Sequence, residues 1–70
     1  MTRLERKILE ELKTSYKVSR KHICLKYFIF PWQAQRIIRN LYNKGCMISV
    51  VKMYGTNYKL MRDENGVIYE

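Results

Sequence analysis

The run from Pro31 to Gly45 constrains the fold most, because it has the features of one helix with both ends marked. Proline is favoured at the first helical position, where its missing N–H would have no partner, and a left-handed glycine commonly ends a helix. With an advance of about 100° per residue, the apolar residues share one side of this helix. That side consists of Ala34, Ile37, Ile38 and Leu41. The sequence therefore predicts an amphipathic helix over about 31–44 that packs on a core with one side only.

An earlier helix is predicted over about 2–13. Thr2 and Glu5 have the spacing of a capping box, in which the threonine hydroxyl and the glutamate carboxylate each accept a backbone N–H of the first turn. Four apolar residues then recur at helical spacing, namely Leu4, Ile8, Leu9 and Leu12. We expect these four to form the buried side of the first helix, with a short extended piece at residues 16–18 after it.

A second, shorter helix is predicted over about 19–27. Ser19 is a favourable N-cap residue, and three apolar residues follow at helical spacing, namely Ile23, Cys24 and Tyr27. Pro31 disfavours the helical conformation at Phe30, which ends the helix before it. We expect Phe28, Ile29 and Phe30 to form a tight connector that packs under the third helix.

After Gly45 the apolar pattern becomes alternating and β-branched, which is typical of strands. Two such runs on either side of a turn around Gly55 predict a hairpin over about 46–62. We expect Tyr54 and Tyr58 to pack against each other across this hairpin rather than to stack on nucleic acid, which is the alternative for these two rings. Residues 63–70 are expected to form a tail or a short strand. Three short helices and a hairpin must share one core at this length, so the prediction is a single α+β domain over residues 1–70.

The middle of the chain is strongly basic. In 70 residues there are 14 Lys and Arg against 6 Asp and Glu, a formal net charge of +8. No acidic residue lies between Thr14 and Arg62. Such a segment attracts polyanions, among them nucleic acids. A generally solvated basic surface is the plain alternative.

The sequence offers little for catalysis or metal binding. His22 has no carboxylate neighbour in the sequence, and there is no glycine-rich phosphate loop. Together with His22, Cys24 and Cys46 lack the paired short spacings of a zinc site, so we interpret both cysteines as small hydrophobic residues of a reduced, intracellular protein. We expect no enzymatic activity, metal, cofactor, small-molecule substrate or membrane segment.

Three segments carry a family resemblance. They are the apolar first helix, the short second helix that opens at Ser19 and Arg20, and the end of the third helix, where an apolar pair, an Arg, a Leu and then Lys44 and Gly45 lead into a strand. With these features residues 2–62 resemble the winged helix-turn-helix family. The resemblance implies a third helix in the major groove of double-stranded DNA and a hairpin wing beside it. The wing tip is short and has no arginine, so phosphate contact is expected there rather than insertion into the minor groove.

The resemblance also assigns candidate contacts. Arginine can bridge two acceptors of guanine, and glutamine or asparagine can match adenine, so the base-reading candidates are Gln33, Gln35, Arg36, Arg39 and Asn40. The candidates for contact with the DNA backbone are Arg20, Lys21, Trp32, Asn43, Lys52, Thr56, Asn57 and Lys59. Trp32 either rests on the DNA backbone or folds back onto Phe28 or Phe30 as part of the core.

The predicted function is sequence-specific binding of double-stranded DNA, as a small transcriptional regulator. One alternative is a winged-helix protein-interaction module that serves as an adaptor or inhibitor of a nucleic-acid machine. Another is binding of single-stranded nucleic acid or RNA, which the sequence disfavours because most of its aromatic residues are at positions expected to be buried. A homodimer is left open. The abundance of Lys, Ile, Tyr and Asn is typical of AT-rich genomes such as those of viruses, phages and plasmids, which gives an expected location in the cytoplasm, the nucleoid or a host cytoplasm.

Overall fold

A computed structural model of the protein describes residues 1–69. Three helices and a three-stranded antiparallel sheet make up this part of the chain. In chain order the elements are α1 (Arg3–Thr14), β1 (Val18–Ser19), α2 (Arg20–Tyr27), α3 (Pro31–Asn43), β2 (Met47–Lys52) and β3 (Thr56–Arg62). The predicted α+β class, with three helices before a hairpin, is confirmed.

The last strand lies at the centre of the sheet, in the order β1-β3-β2. The hairpin pairs β2 with β3, with Val50 opposite Tyr58. The two-residue strand β1 pairs with the other edge of β3, with Val18 also opposite Tyr58. At the end of β3, Arg62 forms an isolated bridge with Ile68. The tail or short strand predicted for residues 63–70 extends to Glu70, which lies outside the described residues.

The ends of the helices follow the local signals in the sequence. The Thr2 hydroxyl accepts the N–H of Glu5 at 3.1 Å, and the Glu5 carboxylate accepts the N–H of Thr2 at 2.9 Å, so the predicted capping box is confirmed. Ser19 caps α2 by accepting the N–H of His22 at 3.0 Å. Gly45 ends α3 with a φ of 104°, a conformation that glycine adopts with little strain.

One core lies between the helices and the inner face of the sheet. The predicted apolar side of α3 is buried in full, and Leu41 on it has no exposed surface. Of the predicted side of α1, Ile8, Leu9 and Leu12 are buried, and Leu4 packs at the edge of the core. The sheet contributes Tyr58 among other residues. At this chain length, burial of these residues is the main source of stability.

The connector between α2 and α3 differs from the prediction. Phe28 and Phe30 are 94% and 67% exposed, and only Ile29 packs against the core. Phe28 takes the left-handed conformation that ends α2, with a φ of 54°. This conformation reverses the chain within a few residues, so one side chain of the three reaches the core and both rings face solvent.

Within residues 1–69, none of the helices has the length and apolar character needed to cross a membrane.

Candidate nucleic-acid interface

A groove of about 520 Å³ runs between the exposed side of α3 and strand β2, and we call it the α3 groove. Because the core takes one side of α3, the residues on its opposite side form one wall. That wall consists of Trp32, Gln35, Arg36, Arg39 and Tyr42. The sheet side carries apolar groups, among them Ile48 and Val50. The groove therefore has a cationic, amide-bearing and aromatic wall facing an apolar one.

The charge in the α3 groove is positive and uncompensated. No Asp or Glu of the described chain lines this groove. Arg36 and Arg39 are both exposed, and neither forms an ion pair with any of residues 1–69. A guanidinium group has five N–H donors and no acceptor. Two such groups in an open groove are therefore available to an acceptor-rich ligand.

Trp32 lies at the start of α3 with 59% of its surface exposed. Of the two predictions for this side chain, the structure shows the one that leaves it outside the core. Tyr42, three turns further along the same wall, is 62% exposed. The α3 groove thus has an accessible aromatic ring near each end.

Two predicted base-reading residues lie outside this groove. The side-chain oxygen of Gln33 accepts the N–H of Phe30 at 2.8 Å, where it completes the first turn of α3. The side-chain amide of Asn40 donates to the buried Glu5 carboxylate at 3.0 Å. Both side chains are half-buried. The side-chain oxygen of Gln33 and the amide of Asn40 are therefore engaged within the protein, and neither residue lines the wall that carries Gln35, Arg36 and Arg39.

A second groove, of about 390 Å³, lies between α2 and the turn of the hairpin, and we call it the tip groove. Three predicted backbone contacts line it, namely Arg20, Lys21 and Thr56. Leu25, Pro31 and Tyr54 supply much of its apolar surface. No carboxylate within residues 1–69 lines it either. The fold therefore gathers separate parts of the sequence into a second cationic and apolar groove.

Asn57 is not placed to contact a ligand. It is 8% exposed, and its side-chain amide donates to the carbonyl oxygens of Met53 at 2.9 Å and Val51 at 3.3 Å. It thereby fixes the turn of the hairpin. The predicted contact of Asn57 with the DNA backbone is corrected for this reason.

Lys59 lies away from both grooves. Its ammonium group is 3.4 Å from the Tyr16 hydroxyl and 4.4 Å from the centre of the Tyr16 ring. Alternate residues of a strand face opposite sides, so Lys59 lies on the other face of β3 from the buried Tyr58. Its contact with the DNA backbone stays a prediction, and this contact would lie outside the two grooves. Asn43 and Lys52 are exposed but line neither groove.

The carboxylates lie on another part of the surface, around α1 and the turn after β3. Glu11 is held by Lys26 at 2.7 Å and lies 3.1 Å from the ring nitrogen Nε2 of His22. Burial favours the neutral form of Glu11, but the hydrogen bonds from these two residues outweigh it, so the pKa of Glu11 is lowered. Lys13 lies 3.3 Å from Glu64 and 4.0 Å from the buried Asp63.

The thiols and other potential metal ligands do not form a site. Cys46 is buried, and burial together with the nearby Glu64 carboxylate raises its pKa. Cys24 is half-buried beside the tip groove. In the portion of the chain described by the structure, no group of three or more His, Cys, Asp or Glu side chains is placed to hold a metal ion.

The sequence favoured packed positions for two aromatic residues that the structure leaves exposed, Phe28 and Tyr54. Packing of Tyr54 on Tyr58, the favoured one of its two predictions, is not observed, because Tyr58 is buried in the core and Tyr54 is fully exposed at the turn of the hairpin, with a φ of 55°. Phe28, at the end of α2, has a similar backbone conformation. The available signal was an aromatic residue at a turn position that usually holds glycine or asparagine.

Searches with models of protein families, against curated proteins and against solved structures find no match to this chain.

Proposed function

We propose that this protein is a winged helix-turn-helix protein that binds double-stranded DNA in a sequence-specific manner, as a small transcriptional regulator. The order of the elements supports this proposal, because α2 and α3 are joined by a short turn and α3 leads directly into the hairpin. The sheet order β1-β3-β2 is compatible with a small winged-helix fold. In such a fold α3 would be the helix that enters the major groove.

The observation that carries the proposal is the pair of unpaired arginines on the exposed wall of α3. Arg36 and Arg39 are three residues apart, so they lie on the same side of the helix. Arginine is the side chain that most often reads guanine, through two hydrogen bonds to its major-groove edge. Gln35 on the same wall has the donor and acceptor that match adenine. These three residues are the proposed base contacts.

The tip groove supplies the proposed backbone contacts. Arg20 and Lys21 lie in the first turn of α2, beside Thr56 of the hairpin. Charged and hydroxyl side chains of this kind contact phosphates and so fix the position of a protein on a duplex without reading its sequence. Trp32 can add a contact from its indole N–H at the start of α3.

The distribution of charge favours a polyanion over an uncharged partner. The described carboxylates lie on α1 and the turn after β3, while both grooves carry only positive charge. A surface with one sign of charge steers an oppositely charged ligand toward it. DNA approaching either groove would therefore meet positive charge and no carboxylate among the lining residues.

The test is the loss of duplex binding on replacement of both arginines, R36A/R39A. We expect the affinity for a duplex selected from a random library to fall at least about thirtyfold, because each bidentate contact to guanine contributes roughly 1–3 kcal/mol. The matched control is R3A/R6A, which removes the same charge from exposed positions on α1. That variant should stay within a few-fold of the wild type at physiological salt.

The dependence on salt gives a second measurement. If about five phosphates are contacted, log affinity should fall against log salt with a slope near −4.5. Equal loss of affinity in R36A/R39A and R3A/R6A would contradict specific binding through α3. Retention of duplex affinity in R36A/R39A would overturn the proposal and favour a protein partner for the α3 groove.

A further inference from the structure

Phe28 and Tyr54 share a combination of properties that the fold does not require. They are the two non-glycine residues with positive φ among residues 1–69, at 54° and 55°. They are also the most exposed large hydrophobic residues of that part of the chain, at 94% and 105%. Each therefore combines an unfavourable backbone conformation with a fully solvated ring.

Neither property is explained by stability. A bulky residue in the left-handed region is strained, and glycine or asparagine is the usual choice there. A solvated ring gains nothing from the core. Strain that persists at two exposed positions is a common property of functional sites. The rings of Phe28 and Tyr54 are thus better explained by contact with a ligand.

Tyr54 lies at the tip groove, and Phe28 is close to it in the chain. Tyr54 lines the groove directly, next to Gly55. Phe28 does not line the groove, but it follows Leu25 by three residues and precedes Pro31 by three, and both of these residues line it. The groove therefore has an exposed aromatic ring at the turn of the hairpin, and a second exposed ring ends the helix that forms its other wall.

The wall of the tip groove is cationic and polar. Arg20 and Lys21 line it, together with the hydroxyl residues Ser19 and Thr56. Six of the nine aromatic residues of the chain are exposed. The expectation that most of them are buried, which counted against binding of single-stranded nucleic acid, is therefore wrong. Aromatic rings beside a cationic groove are how proteins bind unpaired strands, since a base of any identity can stack on a ring.

We propose that the tip groove binds an unpaired nucleic-acid strand, with Phe28 and Tyr54 stacking on bases and Arg20 and Lys21 contacting phosphates. This inference rests on the proposed function, because the α3 groove then holds the adjoining duplex. Arg20 and Lys21, which contact the backbone of a blunt duplex in the proposed function, contact the phosphates of the unpaired strand when the DNA has a tail. The preferred DNA is a junction between a duplex and a single-stranded tail.

A bilayer surface is the competing partner, since exposed aromatic residues with nearby cations also occur in proteins that bind membranes. The shape of the site favours a strand. Tyr54 lines a groove whose wall also carries Ser19 and Thr56, and these hydroxyl groups would lose water on entering hydrocarbon. A strand leaves them hydrated or bonded to phosphate.

The experiment compares two DNAs by fluorescence anisotropy, a blunt duplex and the same duplex with a single-stranded tail of several nucleotides. The wild type should bind the tailed DNA about tenfold or more tightly than the blunt one, as expected for stacking of one or two bases. F28N/Y54N should lose this preference and keep its affinity for the blunt duplex. Asparagine suits the left-handed conformation, so this variant should melt at or above the wild-type temperature.

The matched control is Y16N, which removes an aromatic ring that is 70% exposed but lies against Lys59, away from both grooves. It should keep the preference for the tail. Loss of the preference in Y16N would overturn the assignment to Phe28 and Tyr54, as would its retention in F28N/Y54N.

The two proposals fail in different ways. Equal binding of tailed and blunt DNA by the wild type overturns this inference and leaves the proposed function standing. Binding of a free single strand that depends on both rings, without duplex binding, supports the tip groove and overturns the proposed function. If neither DNA binds, both proposals fall. Ring-dependent sedimentation with vesicles of phosphatidylcholine and phosphatidylglycerol, without a preference for tailed DNA, assigns the rings to a membrane and overturns the inference.

Discussion

The carboxylates on the α1 side and the arginines of the α3 groove differ in whether they have charged partners within the protein. On the α1 side, Glu11 holds Lys26 at 2.7 Å, and Lys13 faces Glu64 at 3.3 Å. On the α3 side, Arg36 and Arg39 have no carboxylate partner within residues 1–69. The comparison separates charges that hold the protein together from charges that are available to a ligand.

Buried polar groups show the same contrast. Glu5, at 4% exposed, accepts hydrogen bonds from the N–H of Thr2 and the amide of Asn40, which ties the start of α1 to α3. The lining residues of the α3 groove have no comparable network among the described residues. The polar groups on the α1 side are therefore held by internal hydrogen bonds, whereas those of the α3 groove remain free to bind a ligand.

Truncating a side chain of the core that both sides share should have the largest effect on stability. Leu41, on the buried side of α3, is completely buried. L41A should cost about 2–5 kcal/mol of unfolding free energy, a large part of the total of roughly 4–10 kcal/mol that is usual at this length. Urea unfolding followed by circular dichroism measures this loss. A loss below about 1 kcal/mol would show that α3 is not packed on a shared core.

Replacing the buried carboxylate on the α1 side should have the next largest effect. E5A removes half of the capping box and leaves the amide of Asn40 without its partner, so we expect a loss of about 1–3 kcal/mol. E10A is the control on the same helix, since Glu10 is exposed and has one ion pair to Lys13 at 3.8 Å. That change should fall within about 0.5 kcal/mol of the wild type in the same urea titration. Equal losses in the two variants would contradict the contrast between buried and exposed carboxylates.

Acid should weaken the α1 side selectively. Burial favours neutral Asp63, but hydrogen bonds from the Val67 N–H and the Tyr69 hydroxyl outweigh it and lower its pKa below the ordinary 3.8. Its contribution to stability is therefore present above the unfolded pKa and is lost as the pH falls through the folded pKa. The pKa of Glu5 is lowered mainly by the Thr2 N–H, with the same sign. Thermal melting between pH 6 and pH 2 should show a falling melting temperature below about pH 4.

The carboxamide variant D63N is the matched test of this pH dependence. It should melt at a lower temperature at neutral pH and lose less on acidification than the wild type. A parallel decline in the two proteins would assign the acid sensitivity to other groups.

The smallest effect on stability is expected from the arginines of the α3 groove. Without an internal partner, R36A/R39A should change the unfolding free energy by no more than about 0.5 kcal/mol per site, and removal of like charge can raise it. Thermal melting at low salt, where repulsion is strongest, measures the change. A loss above about 2 kcal/mol would show that these arginines support the fold and would weaken the contrast drawn above.

Sequence reasoning succeeded where the signal was local. The cap at Thr2, the cap at Ser19 and the end of α3 at Gly45 each depend on a few neighbouring residues. The buried side of α3 follows from helical spacing alone. These features position the α3 groove, so its cationic wall could be predicted from the sequence.

Sequence reasoning failed where a side chain bonds to a group that the sequence pattern does not indicate, or where a large apolar side chain packs against nothing. The amide of Asn40 meets Glu5, which is 35 residues away in the chain. Asn57 turns inward to the carbonyl groups of its own hairpin, although its position beside a turn suggested exposure. Phe28 and Tyr54 were expected in packed positions because large apolar residues usually are. The fold leaves both outside, and no periodicity in the sequence marks them.

The position of β3 has a consequence for how the chain matures. Its residue Tyr58 pairs with both Val18 and Val50, so the strand that is made last is the one that joins the sheet. A nascent polypeptide that has not yet reached Arg62 holds two edge strands with nothing between them, and contacts so distant along the chain form slowly. The helices, which are synthesised earlier, therefore cannot complete their packing on the sheet until β3 has been synthesised. A translation product truncated before β3 would expose its apolar surfaces to proteases and would be prone to aggregation.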